Sequence, residues 1–306
     1  MNRKGTLFFG CALSFFVLCS SSPATWTTPV PVTEINSSYH EKSPFLSFDG
    51  LTLYFSRVPT YSFYGSRMYQ ATRAQPAGPF ASVKEISTLT PPGGGVDYPW
   101  VSGDNLQMYY CYKQPQTGYR LAVSERESVD DPWRPGTDLR ELNVLGDVFN
   151  SSLTADELTI FFTGYELTGG KGEYDIWTAT RPNKDAPFTN ITDLWEINSS
   201  VWDFHPSISP DGLTLHFGSR RNGNSQLFRT TRLSLDASFG SPERLSFFDS
   251  PDTYVEYPFL SADGVAFYFA KRPTYGNFDI YVSYIPEPAT FLLLGMGVVL
   301  LRKRRR

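Results

Sequence analysis

The stretch His205-Pro206-Ser207-Ile208-Ser209-Pro210-Asp211-Gly212-Leu213-Thr214-Leu215-His216-Phe217-Gly218 decides how this chain folds. A short apolar segment runs into a Ser-x-Asp-Gly turn, and a second apolar segment leaves it. The same design recurs without gaps in SPFLSFDGLTLYFS from Ser43, YPWVSGDNLQMYYC from Tyr98, NSSLTADELTIFFT from Asn150 and YPFLSADGVAFYFA from Tyr257. In the first of these Leu51, Leu53 and Phe55 alternate with Thr52 and Tyr54, the period of a strand with one buried face, so each copy predicts a β-hairpin. The aligned acids Asp49, Asp104, Asp156, Asp211 and Asp263 lie 55, 52, 55 and 52 residues apart. That period suits a four-stranded propeller blade and is too long for a solenoid unit.

A third strand is expected after each hairpin, over 68–72, 120–124, 175–180, 226–231 and 279–283. A fourth is expected at Lys84-Glu85-Ile86, Arg140-Glu141-Leu142, Trp195-Glu196-Ile197 and Glu243-Arg244-Leu245. The fifth repeat lacks one. Thr33-Glu34-Ile35-Asn36-Ser37-Ser38 near the chain start copies Trp195-Glu196-Ile197-Asn198-Ser199-Ser200. Residues 30–36 are therefore expected to supply the outer strand of the last blade, closing the ring and covering an open sheet edge. The expected fold is all-β, a five-bladed β-propeller over residues 25–284 closed by an N-terminal strand.

Composition agrees. Of 306 residues, 24 are Gly and 23 Pro, with 16% aromatic and 19% charged side chains, which excludes a disordered chain and disfavours a helical bundle. Taken with Asp279-Ile280-Tyr281, the His205–Gly212 pattern resembles the WD40-like propeller repeat of TolB-type and OmpA-associated envelope proteins. The second and third repeats depart from it, with Gly103-Asp104-Asn105 and Ala155-Asp156-Glu157 in place of the Asp-Gly turn and Ser151 in place of Pro.

Both ends carry addresses. Arg3 and Lys4 precede an apolar run from Leu7 to Leu18 and the small residues up to Ala24, the layout of an export signal over residues 1–24. The alternative is a lipoprotein acylated on Cys19, although Val17 and Leu18 are bulky for that signal. Of the 3 cysteines, export leaves Cys111, so no internal disulfide is expected, and Cys111 is read as a small core residue. At the other end Pro286-Glu287-Pro288 leads through an apolar stretch to Arg302-Lys303-Arg304-Arg305-Arg306. About a dozen apolar residues are short of the roughly 20 that span a bilayer, while the basic cluster would stay on the cytoplasmic side. Residues 285–306 resemble the PEP-CTERM sorting signal; an ordinary tail anchor is the alternative. The resemblance implies a Gram-negative envelope, processing by an exosortase, transient residence in the inner membrane, and delivery to the cell surface or its exopolysaccharide. Without the two ends 20 basic residues face 30 acidic ones, a net charge near minus 10 that makes nucleic acid an unsuitable partner.

The turn aspartates are read as turn formers, because an Asx side chain bonds its own backbone and Gly supplies positive φ. The acids before each first strand, Glu41, Asp97, Asp147, Asp203 and Glu256, are expected at the mouth of the central channel with His40, Tyr98, Trp100, Trp202, His205 and Tyr257. Aromatic faces beside carboxylates suit a carbohydrate. The competing reading is structural: the acid belongs to the repeat and ties neighbouring blades through backbone amides. A third makes Asp97, Asp203 and Glu256 the carboxylates of a glycoside hydrolase, which works with an acid and a base across the sugar bond. Arg220-Arg221 and Lys271-Arg272 are read as solvated loops or inter-blade ion pairs. The expected protein is a surface-sorted, monomeric, non-catalytic binding or scaffold module for a glycan or an envelope protein, with no cofactor and no metal.

Overall fold

A computed structural model describes residues 26–59 and 65–285. The export signal and Pro286, Glu287 and Pro288 lie outside the described residues. The strands form five antiparallel four-stranded sheets. The first contains β2 (His40–Leu46), β3 (Thr52–Val58), β4 (Arg67–Thr72) and β5 (Ala81–Glu85); the second β6 (Gly95–Val101), β7 (Gln107–Lys113), β8 (Tyr119–Glu125) and β9 (Thr137–Asp138). The third holds β10 (Asp147–Leu153), β11 (Thr159–Tyr165), β12 (Tyr174–Thr180) and β13 (Thr189–Asp193); the fourth β14 (Asp203–Ile208), β15 (Thr214–Ser219), β16 (Gln226–Thr231) and β17 (Glu243–Arg244). The fifth runs β18 (Thr253–Leu260), β19 (Ala266–Pro273), β20 (Asp279–Tyr284) and then β1 (Val30–Pro31), from the far end of the chain.

This is the five-bladed propeller the repeat predicts. The inner strands are buried, β6 along its whole length, and the fourth strands are exposed. The core therefore sits between blades. Where Asn105 and Glu157 replace the turn glycine they adopt φ of 59° and 61°, close to the 71° to 73° of Gly50, Gly212 and Gly264. The turn geometry is thus kept in the two departing repeats.

The chain start closes the last blade as expected, with Val30 opposite Val282 and Pro31 opposite Tyr281. Val32 and Ile35 are buried among Leu46, Leu53 and Phe55 of the first blade and Tyr268, Ile280 and Val282 of the last. The strand is shorter than the expected 30–36, because Val32–Asn36 coils into a turn in which Ile35 and Asn36 both donate their N–H to Val32 O. Two other fourth strands differ in the same way. Arg140-Glu141-Leu142 forms a helical turn, α1 (Arg140–Asn143), and Trp195-Glu196-Ile197 a turn after Leu194, while the pairing segments lie earlier in the chain. A side-chain amide replaces the missing ladder. Asn36, Asn143 and Asn198 each donate Nδ2–H to, and accept at Oδ1 from, the backbone of Ile280, Leu121 and Ile176 on the third strand, over 2.8 to 3.0 Å.

Asn198 Nδ2 also donates to Asp193 Oδ1 at 2.6 Å. Burial, aided by the neighbouring Asp175, raises the Asp193 carboxyl to about 6. A raised carboxyl holds its proton more tightly in the folded than in the unfolded chain. Its stabilisation is thus complete below about pH 4 and lost as pH rises through 6. Asp193→Asn should raise the melting temperature at pH 8 and leave it nearly unchanged at pH 4; equal shifts at both would contradict the assignment.

Candidate functional site

Each inner strand carries a β-bulge at the same place. In β6, Asp97 faces Cys111 and Trp100 faces Tyr109, so Tyr98 and Pro99 share one partner position. Equivalent slips occur between Lys42 and Phe45, Phe149 and Ser152, Phe204 and Ser207, and Glu256 and Phe259. The bulged residues Ser43, Tyr98, Asn150, His205 and Tyr257 all have φ between 50° and 59°. Left-handed backbone costs on the order of 1 kcal/mol or more at a bulky residue, and a bulge re-aims the side chain it carries. Here it gathers five side chains, of four residue types, around one small cavity.

Three of them form a septum. His205 stacks on Tyr257 at 3.9 Å, and Tyr98 lies 5.5 Å from His205 and 6.0 Å from Tyr257. These rings line both the cavity on one side of them and a smaller one on the other. Trp100 is buried on the far side against Phe45, Phe48 and Tyr109, away from the mouth where the sequence places it. Burial, reinforced by Lys42 and Arg220, holds the His205 imidazole well below its usual pKa, and its Nδ1 has no hydrogen-bond partner among the described residues.

The five acids do not form an open rim. Each reaches the preceding blade or its exit loop. Glu41 accepts from Ser37 N–H and Oγ–H and pairs with Arg57 at 2.7 Å. Asp203 repeats this with Ser199 and with Arg221 at 2.6 Å, and Arg57 and Arg221 also donate to Ile35 O and Ile197 O. Asp97 accepts from Ser43 and pairs with Lys42 at 2.6 Å, both partners in the first blade. Asp147 accepts from Tyr119 N–H, and a Cβ on Gly118 would stand 1.5 Å from its Oδ1, so a side chain there would displace the carboxylate. Glu256 accepts from Ser225, and burial raises its pKa.

Above the septum lies a cavity of about 310 Å³, at the small end of the roughly 300–1,000 Å³ of ligand sites. Of the expected residues it brings together His40, Tyr98, Trp202, His205, Glu256 and Tyr257. Glu41, Asp97, Trp100, Asp147 and Asp203 do not line it, and Glu256 is its one carboxylate. Sequence reasoning missed Lys42, Tyr119, Phe149, Tyr174, Phe204 and Phe278, and assigned Arg220 to a loop. Tyr119 and Tyr174 open the third strands, a position whose inward aim follows from blade geometry. Arg220 stacks on the Trp202 indole at 3.7 Å, and its Nε donates to Ser225 Oγ at 3.0 Å. Trp202 in turn donates Nε1–H to Glu173 and packs on Tyr174 at 4.6 Å. Its ring therefore orients the guanidinium. Burial, with Lys42 and Arg272 nearby, lowers the His40 pKa, and its Nδ1 accepts from Phe278 N–H at 3.1 Å.

Residues 285–306 match the PEP-CTERM protein-sorting motif, which directs export and sorting to the cell envelope through recognition by an exosortase. Among the described residues no helix is long and apolar enough to cross a membrane. No curated protein sequence matches the chain. Solved structures share the fold. A TolB from Agrobacterium tumefaciens is 16% identical, with 80% of this chain and 76% of that one covered at a TM-score of 0.52. The catalytic domain of a GH62 α-L-arabinofuranosidase from Coprinopsis cinerea is 12% identical, covering 85% and 96% at 0.59. An α-L-arabinofuranosidase from Lactobacillus brevis is 16% identical, covering 83% and 94% at 0.54. At these identities the likeness concerns the fold alone.

Proposed function

We propose that this exosortase-sorted propeller is a non-catalytic carbohydrate-binding module of the cell surface, holding one end of a glycan in the pocket above the Tyr98–His205–Tyr257 septum. The observation that carries it is the lining itself. Aromatic side chains enclose the cavity, while Glu256, Lys42 and Arg220 offer hydrogen bonds suited to sugar hydroxyls. The septum closes the floor, so a chain end enters and a thread does not pass through. The exported body, residues 25–284, follows a signal peptide over residues 1–24. The tail resides in the inner membrane until an exosortase processes it near Pro286-Glu287-Pro288.

Hydrolysis is the less favoured reading. Two arabinofuranosidases share the fold, but a glycosidase needs two carboxylates flanking the bond, about 5 to 9.5 Å apart. Asp97 and Asp203 are fully buried in ion pairs, and neither lines the cavity with Glu256. Aryl glycosides should therefore not turn over, and turnover lost on Glu256→Gln would establish the enzyme instead. On a glycan array the full chain should bind a defined group of surface-type glycans. Glu256→Gln should weaken that binding roughly tenfold, the scale of one hydrogen bond to a charged group. Array binding unaffected by Glu256→Gln would move the site elsewhere.

A further inference from the structure

Arg220 stands apart from the other cations of the inner ring. Lys42, Arg57 and Arg221 are each matched by a buried carboxylate within 2.7 Å. Arg220 forms no ion pair within 4 Å among the described residues, and its Nη groups have no hydrogen-bond partner there. Yet the group is held in place. Trp202 stacks under its plane, Ser225 fixes Nε, and Ser225 in turn donates to Glu256. A guanidinium stacked on one face and tied at Nε leaves its two Nη edges pointing as a planar fork, the geometry that takes a carboxylate through two parallel hydrogen bonds. The setting is also unusual in sign. In a body with net charge near minus 10, and with Lys42 already matched by Asp97, Arg220 faces a single carboxylate, Glu256, on the wall of this cavity. Beside the fork, His205 lines the same cavity, is 5% exposed and leaves Nδ1 without a partner among the described residues.

We infer that the preferred ligand is an acidic glycan, with the carboxylate of a uronic acid unit seated on the Arg220 fork and its hydroxyls on Glu256 and the septum. This rests on the carbohydrate reading above and adds the charge of the sugar. Fixing the guanidinium in advance spares the ligand the cost of ordering it. A planar carboxylate fits the fork better than a tetrahedral sulfate ester does.

Titration calorimetry on the full chain in mild detergent separates the two levels. The probes are trisaccharides of glucuronic, galacturonic and mannuronic acid, their neutral hexose counterparts, and sulfated forms of those hexoses. At least one uronate should bind about tenfold or more tightly than its neutral counterpart, with affinity falling as salt rises. Arg220→Gln should reduce that preference to within about twofold, and Arg220→Lys should keep part of it. Equal affinity for a uronate and its neutral counterpart, tighter binding of the sulfate ester, or a preference that survives Arg220→Gln would overturn the acidic assignment while leaving a sugar site. Failure of every sugar to bind would remove both.

Discussion

Deleting residues 26–36 from the otherwise intact chain should lower the melting temperature by about 10–20 °C and increase self-association relative to the intact chain. The segment contributes two almost fully buried side chains, Val32 and Ile35, at 6% and 1% exposure. Burying each is worth about 1.5–3 kcal/mol, and a loss of 1 kcal/mol shifts the transition of a domain this size by roughly 2–4 °C. The Asn36 bonds to Ile280 go as well. Deletion also bares the outer edge of β20, a row of unpaired amides and carbonyls open to a second copy. Light scattering alongside calorimetry checks both parts. A truncated protein with an unchanged melting temperature would mean that the ring is held closed by blade packing alone.

Asp97→Asn should be the most damaging single isosteric change at the inner ring, costing about 3–5 kcal/mol, the typical loss when one partner of a buried ion pair is removed. Asp97 is fully buried, and its partner Lys42 is 13% exposed at 2.6 Å. Asparagine preserves the shape and an acceptor for Ser43 and Tyr98 N–H, so the change isolates the charge. Lys42 Nζ also lies 5.6 Å from the centres of the Tyr98 and Tyr257 rings, so an uncompensated ammonium would disturb the septum as well as the fold. Denaturant titration measures the loss directly. By contrast Arg134 and Glu127 pair with most of their side chains in solvent, and their removal should change stability by less than about 1 kcal/mol. Comparable losses at the two sites would show that burial does not set the strength of these pairs.

The ring was legible because a propeller repeats its errors as well as its rules. Asp49, Asp104, Asp156, Asp211 and Asp263 set the period, and the Ile35-Asn36-Ser37 copy of Ile197-Asn198-Ser199 located the closing strand. The displaced fourth strands were hidden by that same likeness. Glu85 and Arg244 do lie in strands, whereas Glu141 and Glu196 stand two residues before an asparagine whose side chain has taken over the backbone's work. The septum was illegible for a different reason. Tyr98, His205 and Tyr257 sit at left-handed φ that their own propensities oppose, and the bulge imposing it depends on pairing with the second strand. The acids were found, but their partners come from other loops. Arg57 lies 16 residues from Glu41 and Arg221 lies 18 from Asp203, spacings that single-sequence reading cannot connect.

The ligand is expected to sit above the septum, against Arg220 and Glu256. The chain has 6 tryptophans, and Trp202 alone of them lines that cavity. Following the indole N–H resonances by NMR during a uronate titration tests the claim most directly. The Trp202 signal should shift progressively to saturation while those of Trp26, Trp100, Trp133, Trp177 and Trp195 stay in place. Saturable binding that leaves Trp202 unmoved, or that shifts the exposed Trp195 instead, would contradict it.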